Sequence, residues 1–339
     1  SLIMKQSQSV ATMPQMLRDN VERWGGRVWM RKKEFGIWQE YTWRQGYETV
    51  KYFGLGLSSL GLQRGDVVAI TGDNDPHWFW AELGAQCLGG AVAGVHSGNS
   101  PAEAKYIIDH CDATFVVAQD QEQVDKVLAI RPELPRVKKV IYWDGKGLKH
   151  YDSPDLLSFD EVVSLGRQFE MSHQGLFEDS ISHGAGDDLA LIQYTSGTTG
   201  LPKGAMMPYG AIYASNQAFF SLNPAGAEDE WLSFILPGWG TEQGLGLMGS
   251  LNAGLRLNFP EKQDTVTENI REIGPSLMFY ASRLWENVAS EIQYRMSEAA
   301  WYKRLLYRAC MPVGYRAADA GFKGQRLSPP WRVLHSLCD

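Results

Sequence analysis

The sequence predicts an α/β fold with two stacked, doubly wound, mostly parallel sheets and flanking helices. Short apolar runs alternate with segments of helical length, which is the pattern of a parallel sheet covered on both faces. The 339 residues also suggest about two domains. We therefore expect a first α/β subdomain with a polar connection at 1–186 and a second at 187–339.

The first layer is marked by turn and capping residues between apolar runs. Val67–Thr71 is a β-prone run, and Asp75 with Pro76 can begin a helix that continues to about Gly89. Ser100 and Glu103 have the spacing of a capping box, which predicts the start of the next helix. The other predicted elements of this layer are strands at Ala91–Val95, Thr114–Ala118 and Lys139–Tyr142, and a helix at Gln121–Ile130.

The second layer follows a polar stretch, Tyr151–Gly186, whose weak periodicity indicates a connection. Apolar runs of strand length then resume and alternate with helical segments. The predicted strands are Leu189–Thr195, Gly204–Met207, Trp231–Leu236, Leu255–Phe259 and Leu277–Tyr280, and the predicted helices cover Ala211–Phe220, Leu245–Leu251, Thr265–Ile273 and a stretch from Arg283.

Composition limits the class of protein. The net charge of −7 argues against a general nucleic-acid binder, whose surface should be basic. The four cysteines are scattered without a CxxC pair, which favours free thiols in a reducing compartment. The sequence shows neither the pattern of a secretory signal nor an apolar run of about 18 residues. We therefore expect a cytoplasmic protein.

The segment Tyr194–Gly204, YTSGTTGLPKG, carries the strongest signal for chemistry. Its glycines let a ligand approach the main chain, while successive N–H groups and hydroxyls can donate to anionic oxygens. Lys203 adds a positive charge. Because a strand and not a helix is expected after the lysine, the segment is not a Walker A loop. It predicts a polyphosphate-binding loop formed by Thr195, Ser196, Gly197, Thr198, Thr199, Gly200 and Lys203.

This segment resembles the signature loop of the adenylate-forming superfamily (acyl-CoA synthetases and other AMP-binding enzymes) almost residue for residue. Softer similarities extend over essentially the whole chain and are closest to bacterial long-chain fatty acyl-CoA ligases. The stretches that carry them are Tyr41–Trp43, Gly61–Asp66, Asn74–Trp78, Gly89–Ala91 and Ser282–Glu286.

The resemblance implies the fold of that superfamily's N-terminal domain and a two-step reaction. A fatty acid carboxylate attacks ATP to give an acyl-adenylate and pyrophosphate, and coenzyme A then displaces AMP. By the same resemblance, Thr195–Thr199 and Lys203 hold the β- and γ-phosphates, with Thr198 and Lys203 as the catalytic residues. Ser196, with Thr195 as the alternative, is implied as the hydroxyl ligand of Mg²⁺.

The chain departs from the family pattern in two places. A histidine-containing stretch is replaced by Pro237–Gln243, PGWGTEQ. Trp239 there either gates an acyl tunnel or covers an apolar edge, and Trp239 with Glu242 are the candidate substrate residues. The family's adenine and ribose motifs, a Mg²⁺-contacting glutamate and a C-terminal lid domain with a catalytic lysine have no counterpart in the chain. We therefore expect the N-terminal part of a longer polypeptide, inactive alone.

Other interpretations stay open. The chain could belong to a ligase for another carboxylate or for a carrier-protein acceptor, or to a non-catalytic nucleotide- or acyl-binding module. Gly244–Gly249 matches GxGxxG, but the preceding predicted strand ends too far upstream for a dinucleotide site, so a close-packed helix is favoured. Eight Lys or Arg and two acidic residues in Arg295–Arg332 form either a solvated helix face or a peripheral membrane contact. His77 and His96 are assigned no catalytic role.

Overall fold

The computed structural model describes residues 11–195, 201–279 and 282–338. It divides into two compact units, with the boundary between Leu277 and Met278. This division does not coincide with the predicted boundary after Gly186. The reason is that the strand following Gly186 pairs with a strand of the preceding layer, so that one sheet continues across that position.

Unit 1 contains an α/β arrangement that confirms the predicted fold class. Its first half consists of α1 (Met13–Trp24), β1 (Val28–Glu34), β2 (Ile37–Thr42), α2 (Trp43–Ser59), β3 (Val67–Thr71), α3 (Pro76–Cys87), β4 (Ala91–Val95), α4 (Pro101–His110), β5 (Ala113–Ala118), α5 (Gln121–Ile130) and β6 (Lys139–Tyr142). The second half consists of β7 (Leu156–Ser158), α6 (Phe159–Glu170), α7 (Leu176–Ser182), β8 (Leu189–Thr195), β9 (Lys203–Pro208), α8 (Tyr209–Leu222), β10 (Glu230–Leu232), a π-helix (Glu242–Leu247), α9 (Met248–Ala253), β11 (Arg256–Phe259) and α10 (Val266–Ile273).

The larger sheet has seven strands in the order β7-β6-β5-β3-β4-β8-β9, parallel except for the last pair. Strand β3 is buried along its whole length, because helices cover both faces. Val68 and Ile70 pack on the side of α3, whereas Val67 and Ala69 pack on the side of α4. The chain thus leaves β3 and β4 toward opposite faces, which opens a crevice at their carboxyl ends.

The smaller sheet has four strands in the order β10-β11-β1-β2. Strands β1 and β2 form an antiparallel hairpin whose turn, Phe35-Gly36, has positive φ at both residues. Helix α3 lies in the core that the two sheets share, and the ring of Phe79 lies 5.5 Å from that of Phe259 in β11. Burial of almost every residue of α3 follows from this position.

The stretch Tyr151–Gly186 is not the simple connection that the sequence suggested. It contains β7, which adds an edge strand, and helices α6 and α7. Helix α6 packs closely on α2 through glycines: a Cβ at Gly166 would lie 1.8 Å from the carbonyl oxygen of Tyr52, and one at Gly56 would lie 2.0 Å from that of Val162. The sequence nevertheless carries a signal for this helix, since Ser158 and Glu161 form a capping box and Phe159 and Val162 lie on its buried face.

Other differences concern element ends. The predicted strand Trp231–Leu236 is reduced to β10, and the predicted strand Leu277–Tyr280 to a single bridge between Trp231 and Leu277. Tyr280 lies outside the described residues. The ladder between β10 and β11 contains three residue pairs, so the strand at β10 is short.

Unit 2 is helical in its described residues. It contains α11 (Ser282–Ser297), α12 (Trp301–Phe322) and α13 (Pro329–Cys338). Across the described part of both units, no helix combines the length and the apolar character needed to span a bilayer. No disulfide joins the cysteines in the part of the chain that the structure describes.

Candidate functional site

The predicted phosphate loop connects the two antiparallel strands at one edge of the seven-stranded sheet. Thr195, the last residue of β8, pairs with Lys203, the first residue of β9, which confirms that the loop joins two strands. Directly opposed residues of an antiparallel pair point to the same face, and both side chains are exposed. The loop residues Ser196, Gly197, Thr198, Thr199 and Gly200 lie outside the described residues.

Glycine at position 204 is needed by the strand pair itself. Gly204 lies opposite Tyr194 in the ladder. A Cβ there would lie 2.9 Å from Cγ2 of Ile192 and 3.2 Å from Cζ of Tyr194. The absence of a side chain therefore lets the Tyr194 ring lie across the hairpin, directly before the loop.

A cavity of about 260 Å³ opens beside the loop. Gly72 follows β3, His96 follows β4, and Tyr194 and Thr195 end β8, and all four line the cavity. Trp239 forms part of another wall. The cavity therefore lies in the crevice at the carboxyl ends of the strands, the usual ligand site of an open α/β sheet.

Two glycines bring Trp239 to this cavity. A Cβ at Gly94 of β4 would lie 2.7 Å from the Cα of Gly238, so the segment before Trp239 runs directly against the strand. The N–H of Gly240 donates to Oε1 of Gln193 in β8 (3.0 Å). Trp239 is held between these two contacts and keeps half of its surface exposed (50%).

Glu242, the other candidate substrate residue, lies in the core and does not belong to the cavity lining. Its Oε1 accepts a hydrogen bond from Nε1 of Trp231 (3.1 Å). Burial raises the pKa of this carboxyl from 4.5 to about 8. The sequence interpretation placed Glu242 in the site because it is only three residues from Trp239. The π-helix that begins at Glu242 instead turns this side chain inward.

Sequence reasoning missed Glu82, a second buried carboxyl. Its oxygens accept hydrogen bonds from Nε2 of Gln86 (3.0 Å) and Nε2 of Gln243 (2.8 Å). The Gln243 amide also donates to the carbonyl oxygen of Pro237 (2.9 Å). Burial raises the pKa of Glu82 to about 8. The available signal was one glutamate inside the otherwise apolar helix PHWFWAELGAQC.

The fold and the site define an α/β ligand-binding domain with a cationic hairpin loop beside a crevice. Among known proteins, the model of the AMP-binding enzyme family matches residues 17–321. The chain belongs to this family, as its loop predicted.

Similar curated proteins are long-chain-fatty-acid–CoA ligases. ACSBG1 of Bos taurus is 29% identical over 313 residues, which cover 89% of this chain and 42% of the ligase. ACSBG2 of Xenopus laevis is 25% identical over 310 residues, covering 89% of this chain and 41% of that protein. The chain thus spans less than half the length of these relatives.

Solved structures of adenylate-forming enzymes share the fold. A long-chain-fatty-acid-CoA ligase, FadD1 from Archaeoglobus fulgidus, has a TM-score of 0.65 at 16% identity and covers 81% of this chain and 53% of that one. The anthranilate CoA ligase AuaEII, solved with anthranoyl-AMP, has a TM-score of 0.66 at 19% identity and covers 80% of this chain and 50% of that one. The doubly wound sheets of this chain therefore have the fold that these ligases share over the aligned part.

The two buried carboxyls give a pH dependence of stability that can be measured. Both folded-state pKa values, about 8, lie above the 4.5 of an ordinary glutamate, so the folded protein binds more protons than the unfolded chain between these values. The free energy of unfolding should therefore fall as pH rises from about 5 to 8, by up to about 1.4 kcal/mol per pH unit for each carboxyl. Urea unfolding across this range measures it.

Glu242→Gln should make that fall shallower, because it removes one titrating group and keeps the acceptor for Trp231. Glu48→Gln, at an exposed carboxyl, is the matched control and should keep the wild-type slope. An identical slope for wild type and Glu242→Gln would contradict the assignment.

Proposed function

We propose that the polypeptide containing this chain activates a long-chain fatty acid with ATP and transfers the acyl group to coenzyme A. The observation that carries the proposal is the pairing of Lys203 with Thr195, which lines the cavity. In this arrangement the Lys203 cation and the Thr195 hydroxyl would meet a triphosphate while an apolar group enters the crevice. The names of the similar long-chain-fatty-acid–CoA ligases support the same substrate class.

In the first step, a carboxylate oxygen of the fatty acid forms a bond to the α-phosphorus of ATP. The bond from that phosphorus to the bridging oxygen breaks, and pyrophosphate leaves with the electron pair. Negative charge grows on the leaving phosphates, where Thr198, Lys203 and the loop amides would bind. Donors placed where charge develops lower the barrier, and transfer at phosphorus depends mainly on such positioning.

In the second step, the thiolate sulfur of coenzyme A forms a bond to the carbonyl carbon of the acyl-adenylate, and AMP leaves with the electron pair of the broken C–O bond. Trp239, on the cavity wall, would contact the acyl group or the thiol arm near this carbon. Glu242 would act only indirectly, by fixing the π-helix that follows Trp239.

Mg²⁺ prefers oxygen ligands together with substrate phosphates. The exposed Thr195 hydroxyl at the end of β8 and the adjacent Ser196 offer oxygen donors of this kind. Ser196 would hold the ion, with Thr195 beside it. When bound, Mg²⁺ neutralises charge on the triphosphate.

Replacing the loop lysine tests the proposal. In the complete polypeptide, Lys203→Met should lower fatty-acid-dependent ATP–pyrophosphate exchange by about 100-fold, because it removes a donor at the developing charge. Lys149→Met, at another exposed lysine, should leave exchange unchanged. Exchange that is stimulated by an aromatic acid and not by fatty acids would favour a ligase for another carboxylate. If no acid stimulates exchange, the enzyme proposal fails and a binding module remains.

Trp239 can be tested through chain-length preference. If it limits the depth of the cavity, Trp239→Ala should lower the KM of longer acids relative to shorter ones by about tenfold, with the KM for ATP unchanged. Trp38→Ala removes a partly exposed tryptophan of β2 and serves as the control. An unaltered ratio of KM values would assign Trp239 to covering an apolar edge.

We further propose that the protein is cytoplasmic and touches membranes through unit 2. Helix α12 exposes Trp301 (71%), Leu305 (63%) and Leu306 (65%). Lys303, Arg304 and Arg308 are exposed on the same helix. Exposed apolar and cationic side chains on one helix suit an anionic lipid surface, from which a fatty acid could be taken.

Charge reversal tests this contact. The triple variant Lys303→Glu, Arg304→Glu and Arg308→Glu should weaken binding to vesicles containing phosphatidylserine by at least about 100-fold, since each cation contributes about 1 kcal/mol near such a surface. A variant with the same change at Arg136, Lys149 and Lys262 in unit 1 is the control. Equal binding to anionic and uncharged vesicles would contradict the proposal.

A further inference from the structure

Helix α4 contacts both ends of the phosphate loop. The Tyr106 hydroxyl donates to the carbonyl oxygen of Pro202, at the exit of the loop (3.1 Å). One turn later, Nδ1 of His110 lies 2.7 Å from the hydroxyl of Tyr194, at the entrance. The rings of Tyr106 and His110 stack on each other, with centroids 5.2 Å apart. Two stacked side chains of one helix therefore hold the two strands on either side of the loop.

Each contact restrains a position next to a residue of the predicted phosphate loop. Tyr194 directly precedes Thr195, and Pro202 directly precedes Lys203. The proline ring already fixes φ at residue 202, so a bond to its carbonyl fixes the peptide plane that leads into Lys203. The Tyr194 ring meets the His110 ring edge-on, and the lack of a side chain at Gly204 leaves room for it, since a Cβ there would lie 3.2 Å from its Cζ.

In the contact between His110 and Tyr194, the Tyr194 side chain is half-buried. Burial is the main cause that holds the pKa of the Tyr194 hydroxyl well above 10, and the nearby Cys111, Tyr106 and Asp112 act in the same direction. The phenol keeps its proton at neutral pH and can donate it to Nδ1 of His110. A single hydrogen bond of this kind stabilises the hairpin only modestly.

We propose that Tyr106 and His110 are positioning residues for the triphosphate loop: they set the spacing and orientation of the loop's two ends from outside the site. Neither residue belongs to the loop that would touch ATP. The inference rests on the proposed function, because it assigns the held segment to nucleotide binding. It adds that the affinity for ATP depends on two side chains of α4 that do not belong to the cavity lining.

The test uses the complete polypeptide and variants that each remove one polar atom. Tyr106→Phe and His110→Phe keep the stacked rings, and Tyr194→Phe removes the partner of His110. Each should raise the KM for ATP by about threefold to tenfold, the loss expected for one hydrogen bond, and leave the KM for the fatty acid unchanged. The double variant Tyr194→Phe/His110→Phe should be no worse than either single variant, since both remove the same bond.

Two controls and one rescue separate positioning from general damage. Tyr151→Phe removes a tyrosine hydroxyl that donates to Asp125. His173→Phe removes the nitrogens of a histidine ring that stacks on Phe169. Neither change should alter the KM for ATP. His110→Asn places an amide oxygen near the position of Nδ1 and should restore part of the affinity. Equal increases in the KM for ATP, fatty acid and coenzyme A, or an effect of the controls, would overturn the proposal.

A second measurement does not need activity. Trypsin cleaves after Lys203 only when the hairpin opens locally. Without any substrate, Tyr106→Phe and His110→Phe should raise this cleavage rate by about threefold to tenfold relative to wild type and to Tyr151→Phe. An unchanged rate would show that α4 does not hold the loop. If wild type shows no exchange with any acid, the proposed function fails, while the cleavage rates still decide whether α4 restrains the loop.

Discussion

A chain of buried hydrogen bonds connects the strand that carries the phosphate loop with the segment that carries Trp239. The Gln86 amide donates both to the carbonyl oxygen of Ala190 in β8 (3.2 Å) and to Glu82. Glu82 in turn accepts from Gln243, whose amide also reaches Pro237. Polar groups in an apolar core are costly unless they are paired. If the two segments moved apart, the buried Glu82 carboxyl would lose a hydrogen-bond donor. The network therefore opposes such a movement.

The hydrogen-bond network lies in the packed core, whereas the cavity lies at the edge of the sheet. Helix α3, which supplies Glu82 and Gln86, is buried between the two sheets, so the network has a fixed base. The cavity, by contrast, lies at the carboxyl ends of β3, β4 and β8, where the strands end and packing is incomplete. Close contact between Gly94 and Gly238 brings the two parts together without a side chain between them.

Sequence reasoning succeeded where a short apolar run is bounded by turn or capping residues. The structure reproduces Ala91–Val95, Gln121–Ile130 and Leu189–Thr195 to the residue, because each of them is bounded by residues such as Gly, Asp or Pro. It missed α6, although Ser158 and Glu161 form a capping box there and Phe159 and Val162 lie on its buried face. The composition of Tyr151–Gly186 is polar as a whole, and this hides the apolar face of the helix.

Parts of the site were beyond sequence reasoning for another reason. The loop and its lysine follow from residue types alone. The contact of His110 with Tyr194 joins residues 84 positions apart, and that of Tyr106 with Pro202 joins residues 96 apart. Nothing local in α4 distinguishes these side chains from a tyrosine and a histidine on a solvated helix. Only the order of strands in the sheet, which places β8 beside β4, brings them to the loop.

The hairpin form of the loop explains why such outside support is needed. In a Walker A loop the lysine is followed by a helix, whose first N–H groups and dipole help to bind phosphate. Here Lys203 begins the edge strand β9, which among the described strands pairs with β8 alone. An edge strand has one free side and no dipole directed at the ligand. In the proposed site the positive charge would come from Lys203 itself, and its position would depend on how firmly the hairpin is fixed. Helix α4 holds the hairpin from one side, at the entrance and the exit of the loop. The buried hydrogen bonds that link Ala190 to Gln243 hold β8 from the core.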